Sequence, residues 1–264
     1  MIERKVKSIR ALERGLDVLL EVQRSGGMSL HELHLQLGLP KATLLRLLVT
    51  LASRGLVWQR LADGAYLPSA LKLSGSREDL AARLAEIASP FMVELNDRLI
   101  WPSVIAVPRL DHLEIIETNS RLARFDSLIP SPVGMKLSYI HTATGRAYLS
   151  ACDAQERAAI LERLAPADAR AEDRALLDNI VAEADRRGYA TRDPHHPWQD
   201  RNKQAVLADG KLSIAVPVRA AGVAVAAINV AWPGQRVTLE DVVSRHLETL
   251  KSIAEKIGQN LEAA

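Results

Sequence analysis

Apolar positions along this chain keep helical spacing up to about residue 99, and from Trp101 they shift to the short runs typical of strands. In residues 8–24, Ile9, Leu12, Leu16, Leu19 and Leu20 recur at helical intervals until Gly26-Gly27 stops the run. Ser29 followed three residues later by Glu32 has the form of a capping box, opening a short helix that Gly38 closes. In 39–55, Pro40 suits a first helical turn and Gly55 the position just past the last. At 100° per residue, Leu44, Leu45, Leu48, Leu51 and Ala52 share one arc with Leu47 at its border, and Thr43, Arg46, Thr50 and Ser53 lie opposite. The runs 57–59 and 65–67 then flank Asp63-Gly64, a strong hairpin signal. Three short helices, the last two joined by a tight Gly-Leu-Pro turn, followed by a hairpin, predict a winged helix-turn-helix.

Residues 77–99 carry Leu80, Leu84, Ile87, Phe91 and Leu95 on one side of a further helix, which Ser89-Pro90 is expected to break or kink. It is a connecting helix, open either to self-association or to packing on the second domain. Strands are predicted at 103–107, 113–118, 211–218 and 223–231, the last two joined by Arg219-Ala220-Ala221-Gly222 as a hairpin. Helices are predicted at about 143–150, 153–164 and 170–187. Thr238 caps a final amphipathic helix carrying Leu239, Val243, Leu247, Leu250, Ile253 and Ile257. An α+β sensor-type domain with a central antiparallel sheet and helices on its faces follows. The expected boundaries are 1–76 for the winged helix, 77–99 for the linker and 100–264 for the sensor.

Composition sharpens this picture. A chain of 264 residues, 48% hydrophobic, can bury two cores, and with 4% aromatics those cores must be built of Leu, Ile, Val and Ala. The single cysteine, Cys152, excludes an intramolecular disulfide and any multi-cysteine zinc site, and suits a helix end. No apolar run is long enough to span a bilayer, and MIERKVKSIR lacks a signal-peptide core, so a cytoplasmic location is expected. Residues 1–77 hold 12 Lys+Arg against 6 Asp+Glu, a charge of +6; the rest hold 22 against 26, a charge of −4. A polyanion partner is therefore expected for the first module alone. In a winged helix the second helix of the motif enters the major groove. Arg46 suits a bidentate contact with guanine, with phosphate contact or a plain solvated role as alternatives; Lys41 and Thr43 suit phosphate or base contacts. Ala42 and Thr50 share that surface, Arg54 and Arg60 are placed near phosphates, and His31 and His34 on the support helix are expected at the surface.

Enzyme chemistry finds no support. P-loop, dinucleotide fingerprint, nucleophile elbow and HExxH motifs do not occur, and neither a cofactor nor a resident metal is expected. Asp193-Pro194-His195-His196-Pro197-Trp198 contains metal-ligating residue types. Adjacent histidines diverge, however, so a solvent-exposed loop closing over a ligand pocket is the expectation. Two other classes stay open: an enzymatic or metabolite-sequestering sensor domain carrying an incidental DNA-binding module, and a scaffold whose winged helix binds protein.

Five pieces in order resemble the IclR family of bacterial transcriptional regulators across nearly the whole chain. They are 10–16 (RALERGL), 39–43 (LPKAT) with Arg46-Leu47-Leu48, 142–147 (TATGRA), 187–190 (RGYA) and 213–218 (SIAVPV). The sensor half is also similar to activators of 3-(3-hydroxyphenyl)propionate catabolism at Trp101-Pro102, Glu117-Thr118, Arg121, Val133-Gly134 and Ile228-Asn229. The resemblance implies a ligand-responsive regulator of double-stranded DNA with a winged helix, a linker helix and a GAF-like effector domain. It also implies a dimer through the DNA-binding halves, commonly paired into a tetramer through the effector halves. The implied effector residues are Thr142, Ala143, Thr144, Gly145, Arg192, Asp193, Ser213, Asn229 and Ala231, with Met135 beside them. Arg192 stands near where some members carry an acid, so the resemblance implies that a ligand's polar end would be held differently here.

Elementary chemistry supports such a site independently. N–H groups at a helix start favour an anion, Thr142 and Thr144 add hydroxyls, and an arginine can grip a carboxylate at two points. Leu128, Met135, Leu137 and Val230 would suit a ring or acyl chain. An aromatic or short carboxylic acid from a degradative pathway is the expected effector, acting through a palindromic operator. In the alternative, Thr142 and Thr144 are only helix caps and Asn229 only satisfies a strand edge.

Overall fold

The computed structural model describes residues 9–69, 77–122, 132–198 and 210–263. Contacts divide the chain into two compact units, Met1–Glu86 and Ile87–Ala264. In the first, α1 (Arg10–Ser25), α2 (Leu30–Leu37) and α3 (Lys41–Ser53) precede a hairpin of β1 (Val57–Gln59) and β2 (Tyr66–Pro68). Ser29 caps α2 as expected: its hydroxyl accepts from Glu32 N at 3.2 Å, and the Glu32 carboxylate accepts from Ser29 N at 2.8 Å. Gly38 closes α2 in the left-handed region at φ 65°, which turns the chain directly into α3. Val18, Val22, Leu33, Leu44, Leu48, Leu51, Val57 and Tyr66 form the small core.

Two expectations about that core are corrected. On α3, Leu45 and Ala52 are exposed, because only Leu44, Leu48 and Leu51 reach the neighbouring helices. On α1 the leucine stripe faces outward. Ile9, Leu12, Leu16 and Leu20 are about half to two-thirds exposed, and the core takes Val18 and Val22 from the other side of the helix. Helical spacing identifies a face but not its direction, and α1 has apolar residues on both.

The helix α4 (Arg77–Arg98) runs on through Pro90, so of the expected break or kink the break does not occur. Pro90 cannot donate the N–H that would close on the Glu86 carbonyl, and the division between the two units falls just after Glu86. Leu80 is exposed; Leu84, Ile87, Ala88, Met92 and Leu95 are buried. The C-terminal half of α4 is fastened within the second unit. Ser89 Oγ donates to the buried Glu117 at 3.0 Å, Asn119 Nδ2 to the Met92 carbonyl at 3.1 Å, and Lys256 Nζ to Glu94 at 2.8 Å.

The second unit holds an antiparallel sheet in the order β5-β4-β3-β8-β7-β6. Its strands are β3 (Val104–Pro108), β4 (Leu113–Thr118), β5 (Lys136–Leu137), β6 (Ala190–Thr191), β7 (Lys211–Ala220) and β8 (Val223–Pro233). The short edge strands β5 and β6 carry too few residues to show a period. The β7–β8 hairpin turns through Ala221 and Gly222, at φ 48° and 78°, the left-handed pair of a type I′ turn. α5 (Ala143–Ala151) and α7 (Ala171–Arg187) share a core with Ala215 and Ala227 on one face, and α6 (Ala154–Leu164) adds Ile160 and Leu161 to it. α8 (Leu239–Ala263) packs on β7 and β8, and because Ile214, Ala215 and Val216 are all buried, both faces of β7 are covered. Among the described residues no single helix is long and apolar enough to cross a membrane. The one bent pair that qualifies by length and composition is the helix-turn-helix itself, with α2 and α3 at 114°.

Gly258 is where α8 comes closest to the sheet: a Cβ there would land on the backbone of Arg219. Gly258→Ala should therefore lower stability by about 1–3 kcal/mol, the usual effect of overpacking, although alanine is the better helix former. Urea unfolding with the midpoint displaced downward at unchanged slope is the expected result.

Candidate functional site

The first site is the outward face of α3. Lys41, Ala42, Arg46, Thr50 and Arg54 are exposed on it or at its end, and Thr43 is half-buried. Among the described residues no hydrogen bond or ion pair engages the Lys41 ammonium or the Arg46 guanidinium, so both heads are available to a partner. Thr50 Oγ1 donates to the Arg46 carbonyl at 2.9 Å and Ser53 Oγ to the Thr50 carbonyl at 2.8 Å, which uses the protons of both hydroxyls locally. In the wing, Arg60 is already engaged. Its Nε donates to Asp63 at 3.0 Å, a second guanidinium nitrogen grips the same carboxylate, and this holds the Asp63 carboxyl below its ordinary range. His31 is exposed, but His34 is half-buried, its Nδ1 hydrogen-bonded with the Leu39 carbonyl at 2.8 Å.

The second site is the start of α5, which lies inside the protein. Its residues 143–149 and 151 are all buried. Gly145 is required there, since a Cβ would land on the backbone of Ser138 and Tyr139. Thr142 caps the helix: its hydroxyl accepts from Gly145 N at 2.9 Å and donates to the Ser138 carbonyl at 2.6 Å. The expectation that Thr142 offers a free donor is therefore corrected. Thr144 differs, because its buried hydroxyl has no hydrogen-bond partner among the described residues. Ala143 N and Thr144 N belong to the first turn, whose amides have no intrahelical acceptor.

The sheet brings Ser213, Asn229 and Ala231 to this same face. Ser213 pairs with Ala231 and Ala215 with Asn229, directly opposite residues share a face, and Ala215 belongs to the core under α5. Asn229 Oδ1 accepts from Val104 N at 3.0 Å, and Ala231 N donates to the Pro102 carbonyl at 3.1 Å. Met135 is half-buried against that core; Leu137 and Val230 are buried; Leu128 lies outside the described residues.

Arg146, a group the sequence patterns did not single out, dominates the electrostatics. Its side chain is 3% exposed; Nε donates to the Ile140 carbonyl at 2.5 Å and a terminal nitrogen to Asp193 at 3.2 Å. Burial resists the charge on Asp193, yet the His195 amide and Arg146 hold its carboxyl below the ordinary range. The loop expected in solvent is partly interior: His195 is exposed, but His196 and Trp198 are buried and meet edge to face at 6.0 Å. Trp198 N donates to His196 Nδ1 at 3.2 Å, and burial followed by the Arg146 charge lowers the His196 pKa, so the ring is neutral at neutral pH. Alternation along the loop turns one histidine out and the next in. Among the described residues no three potential metal ligands of the His, Cys, Asp or Glu type come together. A cleft of about 250 Å³ lies beside Arg146, with Asp193, Tyr189 and Arg187 on its walls, and Asp193 is the one predicted effector residue that lines it. Arg192 is half-buried. Cys152 caps the end of α5, and burial raises its thiol pKa to about 11.

Two family models cover the chain: the IclR helix-turn-helix domain over residues 11–61, and the bacterial transcriptional regulator IclR C-terminal domain over 81–259. The chain belongs to the IclR family of transcriptional regulators. It is 28% identical over 236 residues to an HTH-type transcriptional regulator of Mycobacterium tuberculosis, spanning 86% of this chain and 84% of the relative. It is also 28% identical over 194 residues to the acetate operon repressor of Salmonella typhimurium, spanning 71% and 70%. The fold matches Thermotoga maritima IclR with a TM-score of 0.56 at 19% identity, covering 97% of this chain and 100% of the other. It matches an IclR homologue from Microbacterium hydrocarbonoxydans, complexed with 4-hydroxybenzoate, with a TM-score of 0.54 at 22% identity, covering 96% and 100%. The family consists of regulators and not enzymes, so this IclR-family protein binds DNA through its helix-turn-helix and responds to a small ligand.

Arg46→Ala should weaken operator binding by about 1–3 kcal/mol and relax base preference, measured against matched and scrambled duplexes. Removing Arg54 should instead weaken all sequences alike and lower the salt slope by about 0.9; Arg60, already neutralised by Asp63, should lower it less. Asp193→Asn leaves the Arg146 guanidinium without its counter-charge and should lower stability by about 2–3 kcal/mol, the low end for a broken buried pair because Asp193 is one-third exposed. Since the folded pKa of Asp193 is depressed, the wild type keeps this increment above about pH 4 and loses it as pH falls further. Denaturation of both proteins across pH 3–7 should show the difference shrinking at the acid end.

Proposed function

We propose that this protein regulates a catabolic operon for an aromatic or other small carboxylic acid, with the acid as effector. The observation that carries the reading is the dry start of α5. A buried Thr144 hydroxyl without a partner stands in a helical turn whose amides need acceptors, on the face that also carries Ser213, Asn229 and Ala231. A carboxylate supplies the missing acceptors and favours the positive end of the helix dipole. The Microbacterium homologue complexed with 4-hydroxybenzoate supports this ligand class. So does the likeness of the sensor half to activators of 3-(3-hydroxyphenyl)propionate catabolism. In this proposal Met135, Thr144, Arg192, Asp193, Ser213, Asn229 and Ala231 surround the acid, and Thr142, Ala143 and Gly145 shape the turn that meets it.

The protein acts in the cytoplasm as a homodimer, with 1–76 binding DNA, 77–99 linking and 100–264 sensing; effector halves pair dimers into a tetramer. The exposed α1 stripe of Ile9, Leu12, Leu16 and Leu20 supports the dimer, since four aligned apolar side chains on one helix face need a partner surface. Two winged helices related by a dyad fit two half-sites of a palindromic operator. The acid changes operator occupancy by binding one arrangement of the two winged helices better than another.

A thermal-shift screen against aromatic and aliphatic carboxylates tests the reading. At a concentration a hundredfold above Kd, a true effector stabilises by about 2.7 kcal/mol. Thr144→Val should lose most of that gain while matching or exceeding the unliganded wild type, because it removes a buried unpaired hydroxyl. No stabilisation by any carboxylate, or full stabilisation of the variant, would overturn it.

A further inference from the structure

We propose that α3 reads thymine as well as guanine: Leu45 and Val49 contact thymine C5-methyl groups in the major groove beside the base pair met by Arg46. The proposal rests on DNA binding through this helix and concerns which bases the helix selects. With the buried stripe Leu44, Leu48 and Leu51 as the inward direction, Val49 and Arg46 lie to either side of the outward direction at 100° per residue, and Leu45 flanks Val49 one turn earlier. Leu45 is 41% exposed and Val49 65% exposed, although both are apolar. A β-branched valine on an exposed helix face gains nothing locally, since its side chain is restricted there and its surface stays wet.

The hydrogen-bonding inventory of the face points the same way. The hydroxyls of Thr50 and Ser53 donate to backbone carbonyls, which leaves Lys41, Thr43 and Arg46 as the helix's side-chain donors for base edges. With so few donors, the exposed apolar groups beside Arg46 add to base selection. The thymine C5-methyl is the apolar group that a base pair presents in the major groove, so an apolar ridge in that groove discriminates thymine. Two side chains are far too small a patch for a stable protein interface, which needs on the order of 1,000 Å². Their continuity with Arg46 on a helix with exposed cationic residues matches a phosphate-walled groove.

The test uses the full chain and a duplex that it selects from random sequences. The selected half-site should contain thymine within one or two base pairs of the guanine whose preference Arg46→Ala abolishes. Replacing each thymine by deoxyuridine deletes only the methyl. Wild-type affinity should fall roughly fourfold per contacted methyl, the equivalent of about 0.8 kcal/mol for one buried carbon. Leu45→Ala and Val49→Ala, both on exposed positions and checked for unchanged unfolding, should each bind the thymine duplex more weakly and lose sensitivity to one deoxyuridine. A selected site without thymine there, full wild-type affinity for every deoxyuridine duplex, or the same deoxyuridine penalty in the variants overturns the proposal while leaving DNA binding intact. Failure to select any sequence overturns the proposal together with the DNA-binding role it rests on.

Discussion

A helix that begins inside a protein must find acceptors for its first amides, and much of the sensor domain answers that requirement at α5. The helix is drawn in because Gly145 lets it lie on the backbone of Ser138 and Tyr139, and its Ala, Tyr and Leu positions fill the space between the sheet and α7. Thr142 satisfies one amide and Arg146 binds the incoming Ile140 carbonyl, which turns a loop into a fixed ledge. Arg146 in turn requires Asp193, so the segment after α7 is tied to the start of α5. What is left over, a hydroxyl at Thr144 and the first-turn amides, is polar, dry and oriented. Burying such groups unmet is unfavourable by a few kcal/mol, and in the proposed effector site that deficit is the free energy a carboxylate would recover.

This constraint was only half legible in the sequence. The TATGRA piece located the helix start, and spacing placed α5 to α8 and the β7–β8 hairpin within a residue or two. Arg146 went unremarked because an arginine in a short helix is ordinarily solvated, and nothing in periodicity says that all sides of α5 are covered. Asp193 was singled out, but not as its counter-ion, since ion pairs across 47 residues leave no local pattern. The histidine loop departs from its local pattern for a related reason. Proline-flanked polar stretches usually lie at the surface, yet His196 and Trp198 turn inward and fill volume that an aromatic-poor core otherwise leaves to small side chains.

In the winged helix the elements were clear and their directions were not. Capping chemistry is local, so Ser29, Glu32 and Gly38 marked α2 correctly. Facing is not local. α1 has apolar residues on two opposite sides, and the longer stripe lost to Val18 and Val22 because α3 approaches from that side, with Leu47 lying next to Gly15. Leu45 was drawn into the expected core by the same arithmetic, although an arc of 100° steps cannot tell a residue at the rim of a small core from one beyond it.

Pro90 shows how a local rule can be overridden yet keep its consequence. Proline inside a helix removes one hydrogen bond and weakens it by about 3 kcal/mol, but α4 persists because Ser89, Met92 and Glu94 on either side of Pro90 are anchored to the sensor sheet and α8. The missing bond is the one to Glu86, where the chain divides into its two units. In the proposed regulator, a helix anchored on its sensor side and one hydrogen bond short at the division would pass on a displacement of the sheet while yielding at one defined place. Coupling of that proposed kind needs the combination, because a uniformly soft connection would dissipate the ligand's preference and a uniformly rigid one would leave no second arrangement to select.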